Sequence, residues 1–214
     1  MHSDNRASIY LPAYVPYLVA FLMLIFLVGI EFAYRDPLYE ASITAELFMQ
    51  RDATTAGKIV MKALSVIGEG PLYIAVILLI YNQCSREVSF YFLLVFSLSN
   101  WLMNLTKVAY HEGRPYLTDP AVEIYDCEAG YGNPSGHSWF AALFPFLLFL
   151  ARFHPIDGLE IRKTPAYFIC IFLAFAYMGL VGISRIYNGA HAINQVLYGF
   201  SWGLYLALVM HYVV

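Results

Sequence analysis

Four stretches of this chain are long and apolar enough to cross a lipid bilayer: Ile9 to Ile30, Val88 to Thr106, Thr164 to Ser184 and Ala192 to Met210. Each runs about 19 to 22 residues without a charge, and a helix of about 20 residues spans the hydrocarbon core of a membrane. Lipid offers the backbone no hydrogen-bond partner, so such segments close their own hydrogen bonds as helices. Two further spans are less clean. Ala63 to Tyr81 is interrupted by Gly68, Glu69, Gly70 and Pro71, and Ser138 to Ala151 is short unless it takes in Gly136 and His137. The expected fold is therefore an all-α integral membrane bundle of six transmembrane helices, a single domain over residues 1–214.

Composition agrees with that frame. Hydrophobic residues make up 60% and charged residues 13% of the chain, against roughly 25% charged in soluble domains, which excludes a water-soluble globule. A net charge of -3 offers no broad cationic surface, so nucleic acid is not an expected partner. Cys84, Cys127 and Cys170 are far apart, and neither a disulfide framework nor a zinc site is indicated. The first apolar run is longer than a signal peptide's apolar region and reads as a retained anchor. Six crossings place the N-terminus, Asn82 to Glu87, Arg152 to Lys163 and the C-terminus on one face. Glu31 to Ala56, His111 to Gly136 and Arg185 to His191 lie on the other. Basic residues outside the motifs divide almost evenly between the faces and set no orientation. Pro37 to Lys62 is mixed polar and apolar, which suits an interfacial segment, a lid or a scaffold. Asn104 to Thr106 is a glycosylation sequon only by chance, since it lies inside a span.

Ionisable residues at the ends of spans are functional candidates, and three clusters share the second face. Lys107 lies in the last turn of the third span, with Arg114 just beyond the helix exit that Gly113 and Pro115 enforce. These two cations suit phosphate binding, or they snorkel to headgroups and complement the helix dipole. Pro134, Ser135, Gly136 and His137 open the fourth span. A helix N-terminus offers unpaired N–H groups to an anion, and glycine permits close approach; the alternative is a capping serine with an interfacial histidine. Ser184, Arg185 and His191 join spans five and six, where the arginine can hold phosphate oxygens and the histidine can attack phosphorus or move a proton. Together the clusters place three cations and two histidines on one face, which is what phosphoryl transfer requires.

Ten positions in order match the three signature blocks of the type 2 phosphatidic acid phosphatase and haloperoxidase superfamily: Lys107, Arg114 and Pro115; Pro134, Ser135, Gly136 and His137; Ser184, Arg185 and His191. With the residue that follows at 195, these blocks lie within 107–195. The resemblance implies an integral membrane phosphatase acting on phosphomonoesters, lipid phosphates first, through a phosphohistidine. It implies that His191 is the nucleophile and His137 the acid for the leaving alcohol. Lys107, Arg114 and Arg185 would hold the phosphate oxygens, with Ser135 and the Gly136 N–H completing the cradle. Neither metal nor cofactor is implied. The partners are a phosphorylated lipid or small phosphomonoester and the bilayer. The resemblance also implies a multi-pass protein of the endoplasmic reticulum or plasma membrane, its site lumenal or extracellular.

One position departs from the family pattern. Most members carry aspartate four residues after the nucleophilic histidine; here Gln195 stands there, beside Asn194. Its carboxamide oxygen can accept the imidazole N–H without contributing a charge. Glutamine there resembles the glucose-6-phosphatase branch, as does the stretch Cys127, Glu128, Gly130 and Gly132. A glucose-6-phosphatase-like sugar phosphatase is therefore the alternative enzyme, and a catalytically silent membrane scaffold the alternative of another kind. That branch carries further helices, and the abrupt apolar end at Val213 and Val214 leaves open that the chain is a fragment. His111 and Glu112, inside the first block, are candidates to border the pocket. Glu69 is expected near the interface or bonded to another helix. Tyr116, Tyr131 and Trp139 read as packing or interfacial aromatics.

Overall fold

The computed structural model describes residues 12, 14–154 and 163–213. Among these residues every regular element is a helix. Five helices are long and apolar enough to cross a membrane, six when a pair bent by 44° counts as one span, in agreement with the expected six-helix bundle.

The first helix differs from the expectation. α1 (Val15–Gln50) runs unbroken for 36 residues, roughly 54 Å at 1.5 Å per residue, against a hydrocarbon core of about 30 Å. Residues 9–11 and 13 of the expected first span lie outside the described residues. Instead of ending near Ile30, the helix continues through Pro37 and stands out beyond the membrane. Proline removes one helical hydrogen bond, and the projecting half is held by its neighbours. The Tyr39 hydroxyl bonds Thr118 Oγ1 at 2.8 Å, Ser42 Oγ accepts the Ile193 N–H at 2.7 Å, and Gln50 Nε2 donates to the Glu123 and Tyr187 carbonyls.

α2 (Thr55–Val66) starts at Thr54, whose hydroxyl caps the Gly57 N–H. The break predicted from Gly68 to Pro71 separates it from α3 (Gly70–Gln83). Glu69 is the half-buried residue preceding α3 and makes no side-chain cap there. α4 (Arg86–Tyr110), capped by Ser85, ends at His111 in the left-handed conformation with φ 53°. A single turn, α5 (Pro115–Thr118), follows, then α6 (Gly136–Phe153), α7 (Pro165–Tyr187) and α8 (Ile193–Tyr212).

α6 is the most enclosed element, and Gly199 and Gly203 of α8 account for its seat. A Cβ at Gly203 would run into the Trp139 carbonyl oxygen, and one at Gly199 into that of Ser135. Small residues four apart let two membrane helices touch along their backbones. Trp139 stacks on Trp202 at 5.1 Å and donates to Ser99 Oγ on α4 at 2.6 Å. Outward-facing Phe26, Trp101 and Phe172 are exposed and form the lipid-facing surface. The C-terminal ends of α4 and α7, the N-terminal ends of α6 and α8, and the projecting end of α1 thus converge on one face. On the opposite face His211 bonds the His154 carbonyl at 2.6 Å and Tyr212 bonds the His154 ring. His2 and Arg162 lie outside the described residues.

Candidate active site

The left-handed turn at His111 directs the chain away from the α4 axis. Arg114 lands as the residue preceding α5, its side chain 1% exposed. Three carbonyl oxygens aim its guanidinium: Nε donates to Gly130 at 2.9 Å, Nη2 to Ala129 at 3.1 Å and Nη1 to Ala190 at 2.9 Å. A fork fixed in this way is preorganised for an oxyanion. Lys107, one turn earlier on α4, is half-buried and close enough to feel the charges of Arg114, Glu128 and Arg185.

Ser135 precedes α6 and is fully buried. Its Oγ faces the Ser138 N–H at 3.4 Å and the Ser138 hydroxyl at 3.1 Å, the geometry of an N-cap. A Cβ at Gly136 would lie 2.8 Å from Met103 Sδ on α4, so the glycine leaves room for that methionine side chain. His137 occupies the first turn of α6. Its Nδ1 faces Glu128 Oε1 at 3.4 Å, and its Nε2 is buried without a hydrogen-bond partner among the described residues.

Arg185, in the last turn of α7, is wholly buried. Its Nη1 bonds Ser65 Oγ and, at 3.1 Å, Asp126 Oδ2; its Nη2 bonds Glu128 Oε1. Ser184 turns away, its hydroxyl bonded to the Val181 carbonyl within the helix. His191 lies in the turn between α7 and α8, also wholly buried. Its Nδ1 stands 2.9 Å from the Gly132 carbonyl oxygen and 3.2 Å from Gln195 Oε1. The structure thus brings Lys107, Arg114, Ser135, Gly136, His137, Arg185, His191 and Gln195 to one face of the bundle. Of these, Ser135 is engaged in capping.

Glu128 occupies the centre of the group. Its carboxylate reaches Arg185, Arg114 Nη1 at 3.2 Å, His137 Nδ1 at 3.4 Å and His191 Nε2 at 3.5 Å. Burial acts to raise its pKa, but the neighbouring His191, Arg185 and His137 outweigh it and hold the carboxyl well below the usual range. Burial acts on His191 most strongly. The Glu128 carboxylate opposes burial, Arg114 and Arg185 reinforce it, and the imidazole is held well below the usual histidine range.

Sequence reasoning placed Glu128 only within a resemblance and gave Asp126 no role. A signal was available, since two buried arginines need anionic partners and the long loop that closes over them supplies these two carboxylates. Glu112 does more than border a pocket. It accepts hydrogen bonds from Asn133, Asn194 and Gln195, each at 2.8 Å. Glu31 and Arg35, paired on α1 at 2.6 Å, stand behind it.

The PAP2 superfamily model matches residues 89–214. Phosphatidylglycerophosphatase B of Bacillus subtilis (strain 168) is 36% identical over 115 residues, covering 53% of this chain and 52% of that protein. Glucose-6-phosphatase 3 of Homo sapiens is 30% identical over 142 residues, covering 59% of this chain and 40% of that protein. The chain therefore spans about half or less of the length of these curated relatives. The crystal structure of a transmembrane PAP2 type phosphatidylglycerolphosphate phosphatase from Bacillus subtilis superposes with a TM-score of 0.71 at 23% identity, over 89% of this chain and 93% of that one. That of Aquifex aeolicus LpxE superposes with a TM-score of 0.60 at 17% identity, over 78% and 92%. The shared fold and the apolar helices make this an integral, multi-pass membrane protein, and the family match, over more than half of its length, makes it a member of the PAP2 superfamily.

Proposed function

We propose that the chain is a membrane phosphatase that hydrolyses phosphomonoesters, lipid phosphates first, through a phosphohistidine at His191 and without a metal ion. The observation that carries this reading is the Glu128 carboxylate, an oxyanion bound at once by Arg114 and Arg185 and faced by both His137 and His191. A phosphoryl group presents the same oxygens to the same donors. Lys107, Arg114 and Arg185 then supply the positive charge that stabilises the transition state.

In this reading His191 Nε2 attacks phosphorus, the P–O bond to the alcohol breaks, and the leaving oxygen takes a proton from His137. A water molecule deprotonated by His137 then attacks the phosphohistidine, releasing phosphate and restoring both rings. The hydrogen bonds at Nδ1 direct the Nε2 lone pair toward the site. The lipid preference is supported by the surroundings. α2 carries exposed Ile59, Val60 and Val66 on its outer side, while its buried Ser65 touches Arg185, so the helix that contacts the phosphate position also offers an acyl chain an apolar surface. Relatedness to a phosphatidylglycerophosphatase supports the same preference. Gln195 and the relatedness to glucose-6-phosphatase 3 favour the sugar-phosphatase alternative. The intact constellation argues against a silent scaffold.

The test is phosphate release by the purified protein from phosphatidate, phosphatidylglycerol phosphate, sphingosine phosphate, isoprenyl diphosphate and glucose 6-phosphate, with chelator present. Turnover of a lipid phosphate is the expected result. Preference for the sugar displaces the lipid reading, and loss of activity on chelation, restored by magnesium, displaces the metal-free one.

A further inference from the structure

Gln195 has a second face. Its Oε1 accepts from the Ala192 N–H at 3.3 Å and faces His191 Nδ1, while its Nε2 donates to Glu112 Oε1 and to the Gly113 carbonyl, each at 2.8 Å. All these groups are fixed in their roles except the His191 ring nitrogen, which the Gly132 carbonyl oxygen at 2.9 Å asks to be a donor. A backbone N–H can only donate, and a carboxylate or carbonyl oxygen can only accept. Turning the amide over would set Nε2 against two N–H donors and Oε1 against two acceptors, so one orientation alone satisfies the site. Glu112 is itself fixed by Asn133 on Oε2 and Asn194 on Oε1, with Arg35 Nε 3.9 Å from Oε2. The amide side chain is closely enclosed: a Cβ at Gly132 would lie 2.5 Å from Gln195 Oε1.

We propose that Glu112 is a positioning residue for His191, acting through the Gln195 amide: it holds Oε1 toward Nδ1 and supplies, one side chain further back, the negative charge that an aspartate at position 195 would carry. The inference rests on the reading of His191 as the nucleophile. A carboxylate bonded to the N–H end of an amide polarises its carbonyl oxygen, and that oxygen faces the ring proton of His191. When Nε2 bonds to phosphorus, the ring becomes cationic, and the polarised oxygen stabilises the developing charge. The relay is assembled from the end of α4 and the start of α8. Its carboxylate is held by Asn133 of the long loop and lies near Arg35 of α1.

Charged groups facing His191 from other elements set the background. Arg114 and Glu112 come from the segment after α4, Glu128 from the long loop and Arg185 from α7, with His137 of α6 and Lys107 of α4 on the far side of Glu128; Glu31 and Arg35 stand behind Glu112. Removing the Glu112 charge makes imidazolium less favourable. Attack requires the neutral ring, so the acidic limb of the pH–rate profile moves to lower pH.

The experiment uses the full chain in detergent, with Glu112→Gln, Gln195→Ala and the double variant, hydrolysis measured across pH, and ¹⁵N-histidine spectra in which His191→Gln assigns the His191 signals. In the parent, Nδ1 carries the proton and Nε2 is bare. Glu112→Gln keeps that tautomer through Gly132, lowers the His191 titration and the acidic limb by about half to one pH unit, and lowers kcat about tenfold, the worth of one pKa unit of imidazolium stabilisation, with KM unchanged. Glu112→Asp restores most of kcat. In the Gln195→Ala background the Glu112 substitution has no further effect. Equal losses in both backgrounds, or an unmoved His191 titration, overturn the proposal and leave Glu112 a structural anchor. A parent protonated on Nε2 overturns it without any variant. A parent with the expected tautomer and Glu112-dependent titration but no phosphatase activity retains the relay and rejects the functional reading instead.

Discussion

Arg114 Nη1 stands 3.1 Å from His191 Nε2, while the opposite ring nitrogen, Nδ1, lies 2.9 Å from the Gly132 carbonyl oxygen. Guanidinium cannot accept a hydrogen bond and a carbonyl cannot donate one, so these two contacts favour the proton on Nδ1 and the Nε2 lone pair toward Arg114, while the Glu128 carboxylate, 3.5 Å from Nε2, would partner a proton there in the imidazolium. On the proposed mechanism, the neutral ring with its proton on Nδ1 is the form that attacks.

It follows that His191→Ala removes both turnover, by roughly 10⁴-fold or more, and the acid-labile phosphoenzyme formed from ³²P-labelled substrate. His137→Ala behaves differently according to the leaving group. Phosphorylation from an alkyl phosphate slows by about 10²- to 10⁴-fold, while p-nitrophenyl phosphate, whose leaving group needs no proton, still phosphorylates His191. Undiminished labelling in the His191 variant defeats the assignment.

On the proposed reading, Glu128 and phosphate compete for the same arginines. Glu128→Ala is expected to tighten inhibition by vanadate about tenfold, because the open form of the site becomes the main one. The same change leaves two buried cations without their anion, which is destabilising. Melting in detergent should accordingly fall for the empty protein and recover when phosphate is added. Unchanged vanadate inhibition is the contrary outcome.

The pH profile separates position 195 from its neighbours. Burial, opposed by Glu128 and reinforced by Arg114 and Arg185, holds His191 well below the usual histidine range, so its ring stays neutral into mildly acidic solution and, if it is the nucleophile proposed, the acidic limb is expected below about pH 6.5. Gln195→Asp places a negative charge at Nδ1, raises the histidine pKa and shifts that limb upward. This is the opposite sign to Glu112→Gln. Gln195→Ala lowers kcat with little change in KM. Full activity in Gln195→Ala together with an unmoved limb in Gln195→Asp would separate residue 195 from His191.

Gly203 bears on the fold rather than the chemistry. Gly203→Leu drives a side chain into the Trp139 carbonyl and Ala142, and the strain is expected to reach or exceed about 1–3 kcal/mol. Thermal unfolding and the yield of folded protein in detergent report it. A variant as stable as the parent would show that the α6–α8 contact is looser than the geometry requires.

Topology is checked with thiols. Cys127 lies on the loop beside Glu128, Cys84 on the turn between α3 and α4, and both are exposed. With each kept as the only cysteine, an impermeant reagent labels one from outside and the other only after the membrane is opened. Labelling of both from the same side contradicts six spans.

How much of this was legible beforehand varies with the range of the interaction. The break at Gly68 to Pro71, the capping serine at Ser135 and the end of α4 before Arg114 follow from residues within a turn of one another, and the structure has them where the sequence predicts them. α1 was misjudged because its polar half looks interfacial in isolation. Its helix persists through Pro37 on contacts with Thr118, Glu123, Tyr187 and Ile193, all far along the chain.

The site divides in the same way. Lys107, Arg114, His137, Arg185 and His191 could be named from their motifs because each motif is local and each sits at a helix end that the apolar runs already place on one face. The roles of Glu128 and Glu112 could not. Glu128 meets Arg185 across 57 positions and Glu112 meets Gln195 across 83, and those meetings depend on the rotation of α7 and α8 about their axes and on the path of the long loop. That the backbone forms membrane-spanning helices follows from the long apolar runs alone, since segments of that length in lipid satisfy their N–H and C=O groups within one helix. Which carboxylate faces the arginines and which lies behind Gln195 is set by packing in three dimensions, because buried charges select partners by packed geometry rather than by proximity along the chain.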